Sequence, residues 1–471
     1  MIYVENLASG VFYMDKIKLL QARKQQLLDA GKVIREEINN LTDKDSFVEL
    51  SAFSFSESEF YGDRAEGEGV VTGFATINDY PYYIVAQNSQ VLSGGISNAN
   101  CKKIYKCLEQ AEKNGTPVIY LLSSLGVRVG EGVNVLEGIA ALLSKAAQLK
   151  GVVPQYLVVN GEVYGQISLL AGICDFNFFI EKKSVLASSS PLVITASAGE
   201  NLPKEKIGGA SAISKAQLAT LVVKDLGDVK SKITALSGLL SVGVVDCEDL
   251  NRSVPALKTA ASAKNLLYVF DKDSVVELGA GYCSEVRCVL ARIGGISVAA
   301  VIFDNENGVE LCAGKARKLK EFARLASNYA LPYITFVNTL GIKATPDAAN
   351  SPVIRELADY ISILNTLDTA KISVVTGKAV GLGYTIFAAK SMGYDFSYAF
   401  ANAKIALFDS VQGAEIELTK DKKTDMNKLA AKYADENSDP INAAKGGYID
   451  NIIEPSFVRQ YIIASLQMLI K

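Results

Sequence analysis

The chain contains no histidine and no tryptophan in 471 residues. Without histidine there is no Ser-His-Asp or Cys-His catalysis, no H-E-x-x-H metal site and no imidazole proton shuttle. Any catalysis must run through other groups. Cysteine is sparse: Cys101, Cys107, Cys174, Cys247, Cys283, Cys288 and Cys312 are odd in number and never form a C-x-x-C pair. They read as small buried hydrophobes in a reducing compartment, with no disulfide or metal site expected. Basic and acidic residues nearly cancel, 48 against 51, leaving a net charge of −3 and no basic field for a nucleic acid or an anionic membrane. No apolar run reaches the roughly 18 residues of a membrane span. The opening MIYVENLASGVFYMDKIK lacks the basic-then-apolar order of a secretory signal, so a cytoplasmic protein is expected.

What is present is an ordinary globular composition, 49% apolar and 21% charged, long enough for two or three domains. Residues 15–40 place Leu and Ile at helical spacing among Lys, Arg, Glu and Gln, which predicts an amphipathic helix or a helix pair. Asp45-Ser46-Phe47-Val48-Glu49-Leu50 and an acidic, aromatic loop to Gly69 follow. VVTGFATI and YYIVAQN then read as strands around the turn Asn78-Asp79-Tyr80-Pro81. A Gly94-Gly95 break precedes a helix over residues 100–113, with Ile104, Leu108 and Ala111 on one face. Val118-Ile119-Tyr120-Leu121-Leu122 reads as a buried strand, ending in LLSSLGVRVGEG before a helix over residues 135–149. Tyr156-Leu157-Val158-Val159 is a further strand, expected to end at Asn160-Gly161, with an apolar segment from Gly165 and another strand over residues 175–180. Strands alternating with helices at this pace predict a parallel α/β arrangement. Residues 225–263 are less regular and form the junction, with helices of their own.

The second half resembles the first. Arg287 through Val298 form a two-strand unit like residues 70–85, and 215 residues separate Pro117 from Pro332 and Gly126 from Gly341. Gly161 and Gly377, and Gly165 and Gly381, are each 216 apart. Two strand-turn landmarks at nearly one offset imply an internal duplication of one α/β domain.

Each half offers two glycine-bearing turns after buried strands: Leu125-Gly126-Val127 and Gly161 through Gly165-Gln166, then Leu340-Gly341 and Gly381-Leu382-Gly383. Backbone N–H groups at such turns can converge on an oxygen that gains negative charge, at about 3–4 kcal/mol per donor. Two such holes and no histidine suit enolate chemistry, in which the protein supplies donors and the proton passes to the other reactant. The same glycines are also compatible with close helix-to-strand packing alone.

In order along the chain, Leu27-Leu28-Asp29, Gly67-Glu68-Gly69-Val70-Val71-Thr72-Gly73, Gly94-Gly95, Ser123 through Gly132, Ile207-Gly208-Gly209-Ala210, Asp439 through Ala444 and Gly447 through Pro455 are similar to one family. The sequence resembles the carboxyltransferase (beta-type) subunits of biotin-dependent acyl-CoA carboxylases and of glutaconyl-CoA and methylmalonyl-CoA decarboxylases. The resemblance implies two duplicated crotonase-like ββα-spiral domains, residues 1–250 binding acyl-CoA and residues 251–471 on the biotin side. It implies transfer of CO2 between biotin, on a separate biotin carboxyl carrier protein, and the α-carbon of a coenzyme A thioester. It also implies a biotin carboxylase or decarboxylase subunit as partner, since no biotin-attachment segment is recognisable, and a homo-oligomer, a dimer with sites at its interface assembling to a hexamer. By the same resemblance Gly126, Val127, Gly165, Gln166, Gly381 and Leu382 are the candidate catalytic positions, and Gly94, Gly95, Leu125, Gly341 and Gly383 the candidate cofactor-binding ones.

The chain departs from the family on these turns. Leu125 and Val127 replace a glycine and an alanine, Ser123 and Asn338 replace Asp, and Gln166 and Leu382 replace glycines, so the donors survive only where these positions need no positive φ. Three readings follow: a working carboxyltransferase or decarboxylase subunit with an altered pocket, an inactive paralogue in a structural or regulatory role, or another crotonase-type acyl-CoA enzyme such as a hydratase or thioesterase. Hydratases need paired carboxylates, and only Glu131 and Glu162 lie near the turns; Glu131 is expected to pair with Arg128. Lys102 and Lys103 are equally candidates for CoA phosphates and for a solvated helix face.

Overall fold

Asn78 and Asp79 both take positive φ, +51° and +65°, the twist that closes a two-residue hairpin. Gly294 and Gly295, at +60° and +77°, do the same later in the chain. The computed structural model describes residues 2–54, 66–200, 202–241, 243–258, 261–418 and 425–470. Most of the expected acidic, aromatic loop, residues 55–65, lies outside them. The chain divides into two compact units, Met1–Thr234 and Ala235–Lys471.

Unit 1 begins with α1 (Ile2–Ala30) and α2 (Lys32–Leu41), the helix pair anticipated from the sequence. Its strands are β1 (Val48–Leu50), β2 (Val70–Ile77), β3 (Tyr80–Gln87), β4 (Val118–Ser124), β5 (Gln155–Tyr164), β6 (Phe176–Ile180), β7 (Val185–Ala187) and β8 (Leu221–Val223). They form one sheet in the order β1-β2-β3-β4-β5-β6-β8, with β7 on the far part of β5. The first three pair antiparallel and the remainder parallel, so the sheet is mixed where the sequence suggested a parallel one. The crossovers are α3 (Asn98–Asn114) and α4 (Val133–Leu149), which pack Ile104, Leu108, Ile139 and Leu142 against Val85, Tyr120, Leu122 and Val159. Ser97 starts α3 by accepting the Asn100 N–H at 2.9 Å, and Gly115 ends it at φ +64°.

Unit 2 repeats the plan with β9 (Val276–Leu278), β10 (Val286–Ile293), β11 (Ile296–Phe303), β12 (Val309–Leu311), β13 (Tyr333–Ile342), β14 (Lys371–Val380), β15 (Phe396–Phe400), β16 (Lys404–Ala406) and β17 (Asn451–Ile453). The order is β17-β15-β14-β13-β11-β10-β9, with β12 on β13 and β16 on β14. The stretch read as an irregular junction includes the fifteen-residue helix Leu226–Leu240, whose Val229, Ile233, Leu236 and Leu239 are buried. It is one of the helices expected in the junction, with its buried apolar residues at spacings of three and four.

Two expectations about strand ends are corrected. β5 does not stop at Asn160-Gly161 but runs to Tyr164, and β13 runs through Leu340-Gly341 to Ile342. In each case the strand continues past a register shift to recruit a short extra strand, β7 on β5 and β12 on β13. Gly161 and Gly377 serve this close approach: a Cβ would stand 2.5 Å from Ser123 Oγ in the first and 2.4 Å from Asn338 Oδ1 in the second.

Candidate functional site

At the end of β4 the chain turns through Leu125, Gly126 and Val127, and Gly126 has φ +118°. The segment Ser93-Gly94-Gly95-Ile96 clasps this turn. Leu125 N donates to Ser93 O at 3.2 Å, Ile96 N to Gly126 O at 2.9 Å, and Arg128 N to Ile96 O at 2.9 Å. Gly126 N donates to Ser124 Oγ at 3.3 Å. Among the described residues none accepts the Val127 N–H, which makes it the available donor of the turn. Gly94 and Gly95 act in packing here: a Cβ on Gly94 would lie 2.2 Å from the Ser123 carbonyl oxygen, and Gly95 O accepts from Arg128 Nε at 3.1 Å.

The second turn abuts the first. A Cβ on Gly165, at φ +80°, would fall 3.9 Å from the Gly126 Cα, and one on Gly126 would fall 3.8 Å from Tyr164 O. Gly165 N is engaged with Ala187 O on β7 at 3.1 Å. The next residue, Gln166, is exposed and opens a short 3-10 helix, so its N–H has no acceptor within the helix.

Unit 2 repeats the arrangement. Gly381, at φ +50° and ψ −118°, donates its N–H to Ala406 O at 2.9 Å and caps the helix Leu382–Phe387. Leu382 is the exposed first residue of that helix, so its N–H has no acceptor within the helix. Gly341 N donates to Thr339 Oγ1 at 3.1 Å, as Gly126 N does to Ser124. A Cβ on Gly341 would lie 3.7 Å from Leu382 N and 3.6 Å from Gly383 N, so these three backbones meet. Sequence reasoning thus found the turns, but in both units the glycine of the later turn has its N–H tied to a short strand. The residue after it opens a short helix and has no acceptor for its N–H within that helix.

The substitutions fall where the backbone tolerates them. Leu125, Val127, Gln166 and Leu382 are not among the residues with positive φ, whereas Gly126, Gly165, Gly341 and Gly381 are. Every position of these turns that requires a left-handed backbone has kept its glycine. Beside the first turn a cavity of about 470 Å³ is lined by Ser123, Leu125, Asn160, Glu162, Glu37 and Lys183 among others. Lys183 Nζ donates to Asn160 Oδ1 at 2.7 Å, and Asn160 Nδ2 to Glu37 at 2.7 Å, so its wall is polar.

Three further expectations are corrected. Arg128 does not pair with Glu131: the chain there is a 3-10 turn, and the guanidinium turns inward to Glu68 at 2.8 Å, both side chains buried. Glu131 instead accepts the Asn98 N–H at 2.8 Å. Lys103 is buried, unlike the exposed Lys102, and donates to Gly67 O at 3.1 Å and Val70 O at 2.6 Å. Burial pulls its ammonium down to about 8. Cys101, Cys107, Cys174 and Cys288 are buried as expected, Cys283 is half-buried, and Cys247 and Cys312 are exposed. Glu162 is held by Lys204 and Tyr164; burial raises its carboxyl, and these bonds overcome that and leave it below the ordinary range. Both carboxylates near the turns are therefore engaged with other partners, which removes the basis for hydratase chemistry.

The carboxyl transferase domain family matches residues 26–471. The mitochondrial propionyl-CoA carboxylase beta chain of Rattus norvegicus is 29% identical over 94% of this chain and 87% of its own length. The methylmalonyl-CoA decarboxylase subunit alpha of Veillonella parvula is 28% identical over 92% of this chain and 89% of its own. The transcarboxylase 12S crystal structure, a hexamer with methylmalonyl-coenzyme A and methylmalonic acid bound, superposes with a TM-score of 0.89 over 97% of this chain and 96% of its own at 24% identity. That superposition fixes the fold of the two duplicated α/β units as crotonase-like. Matched from the first helix pair to the last residue, the chain belongs to the carboxyl transferase domain family, whose members act on acyl-CoA thioesters.

Proposed function

We propose that this chain is the carboxyltransferase subunit of a biotin-dependent acyl-CoA carboxylase or decarboxylase. The observation that carries the reading is the repeated turn: each unit presents a backbone N–H, of Val127 and Gln166 in one and of Leu382 in the other, beside a glycine whose positive φ is kept. The donor set is neutral, and the carboxylates that line the neighbouring cavity, Glu162 and Glu37, are bonded to Lys204 and to Asn160, which fits an oxygen that becomes an anion only during reaction. In unit 1 the Val127 and Gln166 N–H groups hold the thioester oxygen as the enolate forms. In unit 2 the Leu382 and Gly383 N–H groups would hold the ureido oxygen of biotin. Carboxybiotin would supply the carboxyl group, and the biotin left after transfer would take up the α-proton, which accounts for a site without histidine.

The acyl-CoA side corresponds to residues 1–250 and the biotin side to residues 251–471, with biotin delivered on a separate carrier protein. Two exposed apolar helices support a homo-oligomer. Pro191–Ala198 buries no residue and exposes Leu192 and Val193; Ser410–Leu418 exposes Val411 and Ile416. A dimer assembling to a hexamer, the latter being the state described for transcarboxylase 12S, would cover them. Purified protein incubated with methylmalonyl-CoA or malonyl-CoA and free biotin tests the reading. Carboxybiotin and the decarboxylated thioester are expected in equal amounts; CoA binding without transfer from either donor would leave the inactive-paralogue reading in its place.

A further inference from the structure

One residue beyond Val127, the Arg128 side chain enters the interior and joins three separate segments. Nη1 donates to Glu68 Oε2 at 2.8 Å, Nη2 to Glu68 O at 3.1 Å, and Nε to Gly95 O at 3.1 Å. Glu68 lies in a run of three left-handed residues, Gly67 at φ +57°, Glu68 at +59° and Gly69 at +67°. A residue with a Cβ adopts that conformation only when its surroundings over-determine it. They do: Ser97 Oγ donates to Glu68 Oε2 at 2.7 Å, and Asn100 Nδ2 to Glu68 O at 2.8 Å. Lys103 holds the carbonyls of Gly67 and Val70 on either side. Glu68, Ser97, Asn100, Lys103 and Arg128 are all buried.

Unit 2 keeps the lysine and drops the ion pair. At the same offset of 215 residues, Cys283 stands for Glu68, Cys312 for Ser97, Lys318 for Lys103 and Lys343 for Arg128. Cys283 retains the positive φ, +45°, and Lys318 Nζ still donates to Gly279 O and Tyr282 O. Lys343, however, is exposed and lies 3.5 Å from Glu310. At this place the repeat therefore folds without an acid–guanidinium pair; the buried pair of unit 2, Arg459 with Asp271, lies elsewhere in its fold. Removing two charges from water gives little net stability, so its presence in unit 1 calls for a role in fixing geometry. What it fixes is the clasp Ser93–Ile96 against the turn that carries the Val127 N–H, because the guanidinium binds Gly95 O while its own main chain binds Ile96.

We propose that Glu68, acting through Arg128, is a positioning residue that sets the Val127 N–H for the charge developing on the thioester oxygen; this rests on the carboxyl-transfer reading above. Neither side chain touches the substrate. Their loss loosens the donor without removing it, so turnover falls and substrate binding does not.

The test compares intact oligomeric protein with Arg128→Lys and Glu68→Gln. Lysine cannot reach Gly95 O and both oxygens of Glu68 together, and glutamine keeps the shape at residue 68 while removing the charge. The expected result is a kcat lower by about 10–100-fold with KM for the acyl-CoA within about twofold. Hydrogen exchange at the amides of Leu125 and Arg128 should accelerate about tenfold or more, with β4 and β14 protected as before. Unchanged exchange at those two amides in the variants that fold would overturn the proposal, as would a kcat loss matched by KM or by unfolding of the whole unit. If neither variant folds, the pair is a folding element and the proposal is wrong. If the unaltered protein transfers nothing, the functional reading fails separately, and the exchange measurement still decides whether the pair positions the turn.

Discussion

Gly94 lies so close to Ser123 that a Cβ on it would stand 2.2 Å from the Ser123 carbonyl oxygen, and its φ is +67°. Main chain cannot rotate away as a side chain can. Gly94→Ala should therefore destabilise the protein by about 2–4 kcal/mol, combining overpacking with a strained backbone. Thermal unfolding measures it, and an unchanged melting temperature would show that the clasp is not as tight as described.

Asp43 organises the first hairpin from outside it. Its carboxylate accepts the Asn78 and Asp79 N–H groups at 3.0 Å each and the Thr76 hydroxyl at 2.8 Å. Chiefly through the Asp79 N–H, opposed by burial, these bonds lower its carboxyl to about 2. A folded-state value below the unfolded one stabilises the protein above the unfolded value, and that contribution is lost as pH falls from about 4 toward 2, with an upper bound of about 2 kcal/mol. Asp43→Asn should be less stable by about 1–2 kcal/mol at pH 7, and the gap should close at low pH. A gap that persists at pH 2 would assign the effect to packing rather than charge.

Gly381 combines φ +50° with ψ −118°, and a Cβ there would lie 3.1 Å from Leu407 O. Gly381→Val must move the start of the helix Leu382–Phe387 and with it the donor. Transfer to biotin should fall by more than about 100-fold while the oligomer persists in sedimentation, since one lost donor alone is worth about that much. An unaffected rate would remove this turn from the site.

Much of this was legible because it is local. The hairpins at Asn78-Asp79 and Gly294-Gly295, the strands beside Pro117 and Pro332, and the 215-residue offset all rest on short-range patterns. What escaped depends on partners far along the chain. Arg128 was matched to Glu131 by spacing, but its carboxylate is Glu68, sixty residues away. Lys103 resembled Lys102 because nothing in a helical pattern reveals that the carbonyls of Gly67 and Val70 await one of them. Gly161 looked like a turn and is a strand residue, because a glycine that permits a close approach and one that permits a turn are written alike. That the N–H groups of Gly165 and Gly381 are tied up while those of Gln166 and Leu382 are not depends on β7 and β16, strands of three residues with little sequence signal.

The proposed chemistry depends on backbone N–H groups one residue beyond those glycines, and proline can remove one without removing its helix. Leu382 is the first residue of its helix, the position at which proline is accommodated, so Leu382→Pro deletes the donor and spares the fold. The decisive measurement is kcat for carboxyl transfer from methylmalonyl-CoA to free biotin by the unaltered protein and by Leu382→Pro. Measurable turnover, lowered by about 100–1,000-fold in the variant with CoA binding and oligomer unchanged, is the result predicted. No transfer by the unaltered protein, or equal rates in the two, would contradict the account.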